Sequence, residues 1–179
     1  MTQETSTSPA PEGLDDATLA FADKVFDAAR SGDADSLAQW LAAGLAPDLR
    51  NAKGDSLLML ASYHGHAAAA ALLLQHGADA ALPNLRGQTP LAGVAFKGDL
   101  AMAELLLDHG AGVDSPSLDG RTPLMFAAMF NRLDIMQLLI ARGARVDATD
   151  AQGTTPLGCA LAMGAQEAVA VLRGQGAQP

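Results

Sequence analysis

Gly120-Arg121-Thr122-Pro123-Leu124 decides how this chain folds, because the same block stands at Gly87-Gln88-Thr89-Pro90-Leu91, at Gly153-Thr154-Thr155-Pro156-Leu157 and, altered, at Gly54-Asp55-Ser56-Leu57-Leu58. The four leading glycines lie 33 residues apart, and a second set, Gly44, Gly77, Gly110, Gly143 and Gly176, keeps that spacing. Each block opens a helix. Glycine permits a tight turn, the Thr or Ser hydroxyl can accept a hydrogen bond from an orphan amide of the first turn, and proline suits the first helical position, where an N–H would go unpaired anyway. Eleven residues after each leading glycine stands a helix stop, Gly65, Gly98, Asn131 or Gly164, with Gly32 one period earlier. Asn131 fits the series, since the left-handed residue that ends a helix is most easily glycine and next most easily Asn.

A second helix follows in each unit. It carries Leu72-Leu73-Leu74, Leu105-Leu106-Leu107, Leu138-Leu139-Ile140 and Val171-Leu172-Arg173, and it runs into a Gly-Ala turn at Gly77-Ala78, Gly110-Ala111, Gly143-Ala144 and Gly176-Ala177. One such unit is too small to bury its own apolar face, so copies on a fixed period predict a solenoid in which each unit is stable only against its neighbours. With its T-P-L block, paired small residues such as Ala127-Ala128, leucine run and G-A turn, the sequence from about residue 20 to 179 resembles the ankyrin repeat family. The resemblance implies an all-α solenoid of stacked helix-turn-helix units joined by short hairpin-like loops, with capping repeats at both ends. Two departures stand out. The family usually has His directly after T-P-L, where this chain has Met59, Ala92, Met125 and Gly158, so the loops are expected to lose a polar tie. The first full copy has Ser56-Leu57 in place of Thr-Pro, so its first helix is expected to start less sharply.

The unit boundaries place a tail over 1–15, expected to be disordered, a capping half-repeat over 16–50, repeats over 51–83, 84–116 and 117–149, and a C-terminal repeat or cap over 150–179. In the first cap, Asp16 to Arg30 reads as an amphipathic helix with Leu19, Val25 and Phe26 on its apolar side, and Trp40 takes the core slot that leucine fills elsewhere. Arg173 stands at the third leucine position, where a further repeat would otherwise cover it, so the array is expected to be complete as it stands.

Composition narrows the function. The chain is 179 residues long, 49% hydrophobic and only 4% aromatic, which suits helices packed about 8–10 Å apart through Ala and Leu. Its net charge of −9, with 11 Lys and Arg scattered among 20 acids, argues against a nucleic-acid partner and for a basic or neutral protein. Cys159 is the only cysteine, which forbids an internal disulfide. Met1 to Gly13 has neither a basic segment nor an apolar run, and no later stretch reaches the roughly 18 apolar residues of a membrane span. A cytoplasmic monomer without a membrane partner is expected.

In the family it resembles, the binding surface is usually formed by hairpin tips and first-helix ends. Carried onto this sequence, those positions give Lys53, Arg86 and Arg121 at the tips and Tyr63, His64, Phe96, Lys97, Met129, Phe130 and Met163 at the helix ends. Tyr63, Phe96 and Met129 are expected in one row, with Phe130 and Met163 beside it. Three of the six Phe and Tyr residues fall in these slots although the remaining core is Ala and Leu. Two readings of them stay open: anchors for a partner, or rings folded over the helix ends as local packing.

Other residues read as structural. His76 and His109 occupy equivalent places one repeat apart, about 10 Å, whereas zinc wants several ligands at about 2.0–2.1 Å from one centre, so no metal site is expected. Cys159, with no His near it in the pattern, reads as a small buried residue. Asp114 and Asp147 recur as turn formers. No phosphate-binding glycine loop, G-x-S-x-G or H-E-x-x-H occurs. The expectation is a non-enzymatic adaptor or scaffold that needs no cofactor or small-molecule substrate and binds a partner protein on its concave face. The alternatives are an inhibitor or immunity-type protein that blocks a partner enzyme and, behind it, an enzyme.

Overall fold

The computed structural model describes residues 16–178; the tail assigned to 1–15 lies outside them. Among the described residues ten helices run in chain order: α1 (Asp16–Ser31), α2 (Ala34–Ala42), α3 (Leu57–Tyr63), α4 (Ala67–Gln75), α5 (Pro90–Lys97), α6 (Leu100–Asp108), α7 (Pro123–Met129), α8 (Leu133–Ala141), α9 (Pro156–Met163) and α10 (Gln166–Gly174). They pair as consecutive hairpins. The first helices α1, α3, α5, α7 and α9 stack in one layer and α2, α4, α6, α8 and α10 in another. Among the described residues the nearest thing to a strand is an isolated antiparallel bridge between Arg50 and Ser56. The fold is therefore the expected all-α repeat solenoid.

Local chemistry sets the helix starts. Thr89, Thr122 and Thr155 accept hydrogen bonds from the amides of Ala92, Met125 and Gly158, each followed by proline at the helix N-terminus. Ser56 does the same for Met59 at 3.1 Å, and α3 starts at Leu57 in the same register. The blunter start expected there does not occur. The hydroxyl cap defines the boundary, and proline only narrows the backbone angles beforehand. Asn131 stops the chain beyond α7 with φ +54°, the single positive value outside glycine among the described residues.

One continuous core runs through all the units. Leu73, Leu106, Leu139 and Leu172 are each fully buried at the same slot of successive second helices, each contributing on the order of 1.5–3 kcal/mol. The first cap departs from expectation. Val25 and Phe26 are buried, but Leu19 is 47% exposed, in the part of the 16-residue α1 that has no counterpart in the 7-residue α3. Trp40 is too large for the leucine slot; it stays half-buried and meets Phe21 edge-on at 5.3 Å.

Side chains at the start of the hairpins tie them internally. Asn51 Oδ1 accepts from the amides of Lys53 and Asp55, Asn84 Oδ1 from those of Arg86 and Gln88, and Asp150 Oδ1 from those of Gln152 and Thr154. Backbone bonds then join one hairpin to the next: Leu85 N–H donates to Lys53 O at 3.2 Å, Leu118 N–H to Arg86 O at 3.1 Å and Ala151 N–H to Asp119 O at 2.9 Å. The turn acids add to this ladder. Asp114 accepts the Arg145 amide and pairs with its guanidinium, and Asp48 accepts the Asp79 amide.

Such close approach leaves no room for a side chain at the hairpin glycine. A Cβ on Gly87 would come within 2.7 Å of the Leu118 amide nitrogen, whereas one on Gly77 would meet nothing within 4 Å. Both have positive φ, +71° and +86°, so both substitutions carry the left-handed strain of about 1–2 kcal/mol. Gly87→Ala is expected to lower stability in urea titration clearly more than Gly77→Ala; equal losses would show that hairpin contact contributes nothing beyond that strain.

Candidate functional site

The ends of α3, α5 and α7 lie side by side opposite the hairpin tips, and between them runs a groove of about 620 Å³. The helix ends contribute Tyr63, His64, Phe96, Met129 and Phe130, and the tips contribute Lys53, Arg86 and Arg121. Ala92 and Gly93 leave the space between. Gly93 matters here because a Cβ on it would stand 3.3 Å from the Tyr63 ring.

Eight of the ten residues named from the sequence thus line one concavity. Lys97 stands at its edge with Nζ 5.3 Å from the centre of the Tyr63 ring, a cation–π distance. Met163 lies one repeat beyond, 53% exposed and outside the groove.

The rings touch one another. Tyr63 stacks on Phe96 at 6.4 Å between centroids, and Phe96 meets Phe130 edge-on at 4.5 Å. The row is therefore Tyr63, Phe96 and Phe130, where Tyr63, Phe96 and Met129 was expected. Met129 instead packs on a small satellite cluster of Met125, Ala148 and Cys159, since an unbranched thioether fills an irregular gap while a ring prefers another ring's face. Phe96, Met129 and Phe130 are half-buried and Tyr63 is 39% exposed, so the rings pack locally and still leave an open face.

Charge is unevenly committed along the tips. Arg121 Nε lies 3.4 Å from an Asp119 oxygen and 3.7 Å from one of Asp150, and it makes no hydrogen bond. The Asp150 side chain is only 3% exposed. The Thr154 amide does most to hold its carboxyl below the ordinary range; burial opposes this, and the Gln152 amide and the Arg121 guanidinium reinforce it. Lys53 and Arg86 are exposed and have no ion pair among the described residues.

The residues read as structural sit accordingly. Cys159 is buried, and burial, with Asp150 nearby, pushes its thiol pKa up, away from a thiolate nucleophile. His66 Nε2 hydrogen-bonds the Arg30 carbonyl at 2.7 Å and His109 Nδ1 the Leu105 carbonyl at 2.8 Å. Among the described residues no group of three or more His, Cys, Asp and Glu is placed to hold a metal ion, and no helix is long and apolar enough to cross a membrane.

The family model for ankyrin repeats in three copies matches residues 25–117 and again 92–179. The chain belongs to the ankyrin repeat family. It is also 59% identical over 65 residues to an ankyrin repeat protein of Pseudomonas aeruginosa, a match covering 36% of this chain and 37% of that one. The match therefore spans little more than a third of the relative's length. Ankyrin repeats are in general protein–protein interaction modules and are typically non-enzymatic.

Sequence reasoning missed the commitment of Arg121 and the hairpin role of Asp150, although Asn51, Asn84, Ser117 and Asp150 recur with the 33-residue period and could have shown it. Two measurements follow. Phe96→Ala should destabilise by about 1–3 kcal/mol, because it strips both ring contacts, while Tyr63→Ala should cost less than half as much; thermal melts that rank them the other way would make Tyr63 the structural ring. Because the folded pKa of Asp150 lies below its ordinary value of 3.8, its stabilisation is present above that pH and disappears as pH falls through the lowered value. The stability gap between wild type and Asp150→Asn should be level at neutral pH and close below pH 3.8; a gap independent of pH would mean that the charge contributes nothing.

Proposed function

We propose that this ankyrin repeat chain is a non-enzymatic module, a cytoplasmic monomer that binds a partner protein in the groove between its hairpin tips and first-helix ends. The observation that carries the reading is the row Tyr63, Phe96 and Phe130 held open beside a preformed concavity. Stacked repeats hold these side chains in place before contact. Little ordering entropy is then lost at binding, and a patch of about 800 Å² on each partner can be specific. Aromatic side chains with one face packed and one open have the character of interface hot spots. An adaptor role follows if the captured partner keeps its activity, and an inhibitor role if capture abolishes it.

Wild type and a Tyr63→Ala/Phe130→Ala double variant, used as paired baits in extracts of the native host and compared by circular dichroism, test the site. A partner retained by wild type and lost from the folded double variant is the expected result. Equal recovery on both baits would place the binding surface elsewhere.

A further inference from the structure

We propose that the segment this groove takes from its partner is acidic: an extended stretch carrying Asp or Glu residues about three positions apart, with apolar side chains between them. The inference rests on the groove being the binding surface. It is carried by the charge that the fold gathers there.

Taken whole, the chain carries −9 and would favour a basic partner. The groove has the opposite sign. Lys53, Arg86 and Arg121 line it from the tips against one carboxylate among the described residues, Asp55, which keeps its charge while accepting from Asn84 Nδ2 at 2.9 Å and from Asn51 Nδ2 at 3.3 Å. Arg121 is held by Asp119 and Asp150. Elsewhere, Arg30, Arg142 and Arg145 sit against the chain's own acids, Asp27, Asp108 and Asp114. Among the described residues Lys53 and Arg86 have no such neighbour and no side-chain hydrogen bond, and Lys97 adds a third cation at the aromatic edge. Unpaired cations flanking a concavity with low-dielectric walls concentrate potential, so a carboxylate entering it meets more attraction than the net charge suggests.

Spacing follows from the repeat. Lys53 and Arg86 hold the same place on adjacent hairpins, tied by the bond from Leu85 N–H to the Lys53 carbonyl. Adjacent units stack about 8–10 Å apart, and a chain extended as polyproline II advances about 3.1 Å per residue and returns to the same face every third residue, so carboxylates three residues apart meet both cations. The intervening side chains can then reach the rings of Tyr63 and Phe130.

A random peptide library displayed on phage, selected against the immobilised full chain, tests this directly. Enrichment of peptides with two acids at that spacing beside an aromatic or aliphatic residue is expected. A synthetic copy of a selected peptide should bind about tenfold or more weakly to Lys53→Glu/Arg86→Glu, and should lose affinity steeply with salt. Tyr63→Ala should weaken it while leaving the salt dependence in place. Both cationic side chains are exposed, so circular dichroism should show the charge-reversed variant folded as wild type.

Basic or uncharged peptides that lose binding on Tyr63→Ala would overturn the acidic chemistry and leave the groove intact as a site. No enrichment, or peptides indifferent to both substitutions, would overturn the groove as well. Self-association of the chain that Lys53→Glu/Arg86→Glu abolishes would put a second copy of this acidic protein in the groove and overturn a foreign partner.

Discussion

The distance between neighbouring hairpins is set where one backbone passes over the glycine of the one before it. Leu85 N–H reaches the Lys53 carbonyl, Leu118 N–H that of Arg86 and Ala151 N–H that of Asp119, and each approach is possible because Gly54, Gly87 or Gly120 lacks a Cβ. That spacing puts successive first helices at the separation where Ala and Leu close the core, and where Ala92 and Gly93 leave a trough in place of a ridge. The groove is thus a consequence of backbone register. The side chains that line it decide its chemistry and leave its existence unchanged.

The fold was readable in the sequence because its signals are local and repeated. A hydroxyl, a proline and a glycine at fixed offsets mark each helix end by hydrogen bonding and backbone geometry alone, and four registered copies leave little freedom in placing them. Position within the array was readable too, which is why eight of the ten candidate residues line one concavity. What each side chain does there was less readable. Whether Met129 or Phe130 continues the aromatic row depends on which gap lies nearest across two repeats, and the commitment of Arg121 depends on Asp150, which stands on the next hairpin. These are contacts between units, set by rotation and rotamer, and a 33-residue period is silent about them.

The cap shows the same division. The pattern that put Leu19 on an apolar side was correct about helix periodicity and uninformative about length. A helix of 16 residues extends beyond a neighbour of 7, and Leu19 lies in the part that α3 does not match. Trp40 follows from volume: a slot shaped by the stacking distance for leucine does not admit an indole, so the ring slides outward until it finds Phe21.

Along the tips the charge changes sign with position, and this gives the groove a direction. Equivalent places on the hairpins read Lys53, Arg86, Asp119 and Gln152, so the cationic stretch covers two repeats and ends where Asp119 turns against Arg121. An acidic segment laid along the row is attracted over the first pair and repelled beyond it, while its apolar residues find the same rings in either orientation. Charge therefore fixes register, and the aromatic row supplies contact area. Specificity and affinity fall on different side chains of one site, and a repeat scaffold permits that separation because each unit contributes one residue to each row.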